Sequence, residues 1–144
     1  MTNDPAIYHD LSINVPKSIV FEALTNPALL VKWWPYKCTG IPKVGELYNL
    51  FFGDPYDWYG EVIECKDDTL FKIKMTLSDD DWNDTIFGFE LSDEDNKTLI
   101  RFSHIGWKSC NSEFRNTSFC WAMLLKGLKN YLENNVIIPF EQRE

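Results

Sequence analysis

Two histidines and a scatter of carboxylates are all that this sequence offers for acid–base chemistry. His104 is the foremost of them. Alternation along residues 97–105 puts Ile100, Phe102 and His104 on one face of a strand. An imidazole beside apolar side chains can hydrogen-bond a ligand carbonyl or hydroxyl, or move a proton near neutral pH. It can equally be bonded to backbone at a strand end. Glu64 is the second. If it shares the parity of Val62 it is buried, with the raised pKa of a general base. The opposite parity, Glu61 with Ile63 and Cys65, fits the alternation as well, so the register stays open. Residues 79–84, Asp-Asp-Asp-Trp-Asn-Asp, mimic part of a calcium loop with Glu90 at its twelfth position. Asp84, however, stands where the sharp turn calls for glycine, so a solvated hairpin turn is expected. Cys38, Cys65, Cys110 and Cys120 form no Cys-x-x-Cys pair and are expected to be free thiols. With no zinc spacing, phosphate-cradling loop or nucleophile elbow, no metal or cofactor is expected and no catalytic residue is assigned.

Composition narrows the partners. The 144 residues carry a net charge of −8, which opposes phosphate-backbone binding and docking on anionic lipid. The first five residues have neither the basic nor the apolar region of a signal peptide, and no apolar run approaches a membrane span. A cytoplasmic protein with no nucleic-acid or membrane partner is expected. Aromatic residues are 15% of the chain: ten Phe, six Trp and six Tyr. Such side chains fill bulky cores and also wall apolar ligand pockets.

The elements that would position these residues follow from periodicity. Residues 7–15 alternate with Ile7, Leu11, Ile13 and Val15 on one face, a half-buried strand. Ile19, Val20, Ala23 and Leu24 recur at helical spacing after Pro16. Asn26 and Pro27 open a second short helix, ended by Pro35 after Trp33 and Trp34. Residues 37–44 read as a loop. Strands are expected over 46–52, 59–66, 70–77, 85–91 and 97–105, joined by short turns and therefore antiparallel. From about Glu113 to Asn134, Phe114, Ser118, Trp121, Leu125, Leu128 and Leu132 form one helical stripe. About 22 helical residues span ~33 Å, enough to run along a whole sheet. The apolar tail, residues 136–140, should pack on something. These elements make one domain over residues 1–144, of α+β class: a curved antiparallel sheet wrapped around a long C-terminal helix, with two short helices after the first strand.

The segment Val-Phe-Glu-Ala-Leu-Thr-Asn-Pro (20–27), followed by Lys32-Trp33-Trp34, resembles the opening signature of the SRPBCC (START-like, helix-grip) superfamily. More narrowly it is similar to the branch named after the activator of the heat-shock-protein-90 ATPase. The resemblance runs on through residues 60–65, 68–70 and 97–104 to Trp121, Leu125, Leu128, Tyr131 and Leu132. The chain departs from it at Lys66-Asp67-Asp68, where many relatives carry proline, and at Cys120, where many carry glycine. The resemblance implies binding of small apolar molecules, occasional cyclase-like or hydrolytic chemistry, and co-chaperone activity in the namesake.

The expected function is binding of a small apolar or aromatic ligand between the last helix and the sheet. The alternatives are a cyclase- or hydrolase-like enzyme in the same cavity, or a co-chaperone-like interaction module with a protein partner or a second copy. From the sheet the expected lining is Phe87, Phe89, Ile100 and Phe102, with His104 as the polar end. Trp121 and Leu125 would line it from the helix, and Trp34 from the tryptophan pair, with Trp33 a core anchor. Trp58, Tyr59 and Trp107 would rim an entrance. Gly88 and Ala122 would leave room inside if they face inward.

Overall fold

In the strand Leu70–Leu77 (β5), Phe71, Ile73 and Met75 are buried while Lys74 and Thr76 are exposed. That period of two is the signature of a sheet covered on one side. The computed structural model describes residues 4–143. The other strands are β1 (Ile7–Ile13), β2 (Lys37–Thr39), β3 (Leu47–Phe51), β4 (Asp57–Lys66), β6 (Ile86–Glu94) and β7 (Lys97–Ile105). All seven join one antiparallel sheet in the order β1-β7-β6-β5-β4-β3-β2. β1 closes onto the last strand, so the chain's first and last strands are neighbours, with Ile7 opposite His104 and Leu11 opposite Ile100.

The helices are α1 (Lys17–Thr25), α2 (Pro27–Leu30) and α3 (Ser112–Asn134), with a short 3-10 turn at Phe140–Gln142. Pro16 flanks α1, and Asn26 caps α2 by accepting from the Ala28 amide at 3.0 Å. Asn111 does the same for α3 at the Phe114 amide, 2.9 Å. Asn135 ends α3 in the left-handed conformation with φ 54°. α3 lays Thr117, Trp121, Leu125 and Leu128 on the sheet. Thr117 rather than Ser118 faces inward. Ser118 instead offers its carbonyl to His9 Nε2 of β1 at 3.1 Å, which ties the helix to the sheet edge.

Three local features depart from the sequence reading. A three-residue strand, β2, lies inside the stretch expected to be loop, paired with β3. β4 carries a bulge between Val62 and Glu64. The extra residue turns both Val62 and Cys65 inward, opposite Ile73 and Phe71, and leaves both Glu61 and Glu64 exposed. That resolves the parity left open by alternation. Finally, neither expected small residue opens space inside. Ala122 is exposed, and Gly88 sits on the outer face, where a Cβ would run into the Lys72 side chain.

Candidate functional site

The interface between α3 and the sheet is filled. Phe87, Phe89, Ile100, Phe102 and Leu125 are each 2% exposed or less, and the three phenylalanines pack around Trp121. They form the core itself and border no cavity among the described residues. Trp33 is a core anchor too, its indole N–H donating to the Ala23 carbonyl at 3.0 Å.

His104 lies in the same core, fully buried, and its bonds define its tautomer. The Trp121 indole N–H donates to Nδ1 at 3.0 Å, so Nδ1 carries no proton. Nε2–H therefore donates to Thr85 Oγ1 at 2.8 Å, and that hydroxyl donates onward to the Trp82 carbonyl at 2.6 Å. Burial pushes the imidazole pKa down to about 3. This histidine is neutral and saturated at both nitrogens. It pins Trp121 to the segment that carries Trp82, and its own carbonyl holds Trp107, which is buried rather than at an entrance. Glu64 stands exposed opposite Lys72, so the two expected acid–base groups are not brought together.

The open space lies beside this core. A cleft of about 610 Å³ runs along the N-terminal half of α3. One side is the helix, with Glu113, Asn116, Thr117, Cys120, Trp121 and Leu124 at successive turns. Facing it are Phe52, Tyr56 and Trp58 of the β3–β4 hairpin, then Asp79 and Trp82 of the β5–β6 connection. Trp34, just past α2, closes the inner end, and Phe140, Glu141 and Arg143 of the C-terminal tail form the last wall. Of the eight residues expected to line a pocket, Trp34 and Trp121 border this cleft; the other six are interior.

Its aromatic walls touch one another in a closed circuit. Ring centroids are 5.4 Å apart for Phe52–Trp58, 5.1 Å for Trp58–Trp82 and 6.2 Å for Trp82–Trp121. The circuit returns through Trp121–Trp34 at 4.8 Å and Trp34–Phe52 at 5.8 Å. Five residues from four separate stretches of chain thus meet in one belt. Trp82 is held by an Asx contact, its amide donating to Asp79 Oδ1 at 2.8 Å. The polar groups are few. Glu113 is half-buried, and its carboxyl pKa is raised by burial and by the negative charges of Asp79 and Asp81, against a lowering hydrogen bond from Thr117. Arg143 faces the cleft, but its guanidinium is spent on four main-chain carbonyls. Those are Ile138 (2.8 Å), Val31 (2.9 Å), Lys32 (3.0 Å) and Trp34 (3.3 Å). The tail expected to pack does so through this clamp and through Phe140 on Tyr36, while Val136 and Ile137 stay exposed.

Sequence reading missed Trp82, Phe52 and the whole tail wall. One signal was visible: a tryptophan set among aspartates in a hairpin turn has no solvent reason to be there. Tyr59 was expected at the rim and lies outside the cleft lining. Among the described residues no group of three or more His, Cys, Asp or Glu is placed to hold a metal ion. None of the four cysteines is in a disulfide. No helix of the described residues is long and apolar enough to cross a membrane.

The model of the family described as Activator of Hsp90 ATPase homolog 1-like protein matches residues 14–133. Among solved structures, the Aha1 dimer from Colwellia psychrerythraea is similar at 24% identity and a TM-score of 0.82, covering 90% of this chain and 97% of that one. A Mesorhizobium loti protein superposes with a TM-score of 0.83 at 18% identity, over 92% of this chain and 100% of the other. An HSP90 activator from Plasmodium falciparum gives 0.72 at 20% identity, over 88% and 95%. At these identities the structural likeness speaks for the fold. No curated protein matches the sequence.

Proposed function

The chain belongs to the Activator of Hsp90 ATPase homolog 1-like family, with the helix-grip fold, and on that premise we propose that it binds a small apolar or aromatic molecule in the cleft beside α3. The observation that carries this reading is the aromatic belt around about 610 Å³ of open space. That volume lies within the range of small-molecule sites, roughly 300–1,000 Å³, and the lining has their usual make-up of apolar walls with a few polar groups. The pocket is displaced from the helix–sheet interface to the end of the helix, because large rings occupy the interface. The proposed setting is the cytoplasm, a reading supported by four cysteines that all lie outside disulfides.

A second reading, a co-chaperone-like module for a protein partner or a second copy, draws on the filled interior. It also draws on relatives that include an HSP90 activator and a dimer. Enzyme chemistry built on His104 and Glu64 has no support in their positions.

Titration with prodan, a neutral naphthalene dye, tests the cleft. One-to-one uptake by folded protein is expected. Asn116→Trp, which fills the cleft from an exposed helix position, should weaken uptake about tenfold, a change of ~1.4 kcal/mol, with the unfolding midpoint unchanged. No uptake, or uptake indifferent to Asn116→Trp, would remove the small-molecule reading and leave the interaction module.

A further inference from the structure

The cleft combines two properties that a neutral apolar ligand does not use. Its walls are the electron-rich rings of the belt, and its mouth carries carboxylates with no basic side chain to neutralise them. Glu113, on the first turn of α3, and Asp79, at the start of the β5–β6 connection, both line the cleft, and the negative charge of Asp79 raises the cost of charging Glu113. Among the described residues neither forms an ion pair. Lys108 reaches the same connection but donates to the Asp80 main-chain carbonyl at 2.9 Å. Arg143, the one basic residue on the lining, is held at the far wall by four carbonyls, with Glu141 nearby. Seating a neutral apolar body here would strip water from Glu113 and Asp79 and return no partner for their charges, so contact with the rings must offset that cost. A cation would relieve the repulsion between them and gain from ring faces.

We propose that the occupant of the cleft is an organic cation, an alkyl- or arylammonium ion, with its charged head between Glu113 and Asp79 and its apolar body against Trp58, Trp82 and Trp121. This rests on the small-molecule reading and adds the charge of the ligand to it. The carboxylates supply selectivity and the rings supply contact area. Thr117, whose hydroxyl lies 3.4 Å from Glu113 Oε1 and 3.4 Å from the Trp82 indole nitrogen, links the two parts. Position matters as much as charge. The chain is acidic throughout, but Glu113 and Asp79 face the aromatic cavity from two different elements, whereas Glu141 lines it beside Arg143.

Three probes of one shape and different charge separate the possibilities: 2-naphthylmethylammonium, 2-naphthylmethanol and 2-naphthoate, titrated calorimetrically into the intact protein. The ammonium is expected to bind about tenfold more tightly than the alcohol, and the carboxylate more weakly than either. Glu113→Gln with Asp79→Asn keeps both side-chain oxygens that Thr117 and the Trp82 amide use. It should bring the ammonium to the level of the alcohol and leave the alcohol unchanged. Glu113→Gln alone, which leaves the hairpin connection intact, should remove part of the preference and serves if the double variant unfolds. An alcohol that binds as tightly as the ammonium overturns the cation proposal while sparing the cleft. A preference that survives these substitutions also overturns it, since the charge then acts from elsewhere. Failure of all three probes to bind overturns both readings.

Discussion

His104 illustrates how one side chain's role is set by what surrounds it. Both ring nitrogens are engaged, by Trp121 and Thr85, and burial holds the ring neutral with a pKa of about 3. The unfolded chain's histidine titrates near 6.5. Below that value the unfolded state binds a proton that the folded state refuses, so stability is complete above about pH 6.5 and falls as the pH drops. The slope is about 1.4 kcal/mol per pH unit until the folded pKa is approached. His104→Phe removes this dependence but leaves the buried Trp121 N–H without an acceptor, at a cost of about 1–3 kcal/mol. Urea midpoints at pH 7 and pH 4.5 check both parts. The variant should be clearly less stable at neutral pH, and the gap should narrow or close at the acid one. A gap that widens on acidification would mean that the histidine is charged in the folded protein.

At the scale of elements, the C-terminal tail is the piece whose contribution is easiest to underrate. It has little regular structure beyond the turn Phe140–Gln142, yet Arg143 satisfies carbonyls left open at the end of α2. Hydrogen bonds from a charged donor typically contribute about 1.5–3 kcal/mol when desolvated and less when partly exposed. Arg143→Met should therefore lower stability by about 1–2 kcal/mol. It should also speed amide exchange at Gln142, whose N–H bonds the Pro139 carbonyl, without speeding exchange in β6 and β7. Because Phe140 and Glu141 wall the cleft, prodan uptake should weaken in the same variant. Unaltered exchange at Gln142 would show that Phe140 on Tyr36 holds the tail by itself.

For the molecule as a whole, the sheet and α3 share one core, and Leu128 is a fully buried member of it. Leu128→Ala should cost ~2–5 kcal/mol, the transfer energy of the lost atoms plus the cavity left behind. The loss should appear in one unfolding transition seen alike by tryptophan fluorescence and by far-ultraviolet circular dichroism. Two separated transitions would mean that helix and sheet unfold independently.

The order of elements was legible in the sequence alone. Alternation and helical period are local properties, and a sheet with one apolar face needs a helix long enough to cover it. That is why β5 and β7 match their expected limits residue for residue, and why α3 begins one residue early. Trp33 as a core member was legible too, since it continues the apolar side begun by Leu29 and Leu30. What the tertiary structure decided lies in contacts between distant segments. The bulge after Val62 redirects Glu64 by inserting one residue, which no alternation pattern reveals. Whether a curved sheet leaves room above its face depends on the summed volume of the rings that meet there, and Phe87, Phe89, Phe102 and Trp121 fill it. The cleft forms where those rings run out. Its walls are assembled from positions 34, 52, 58, 82, 121 and 140, brought together only by packing.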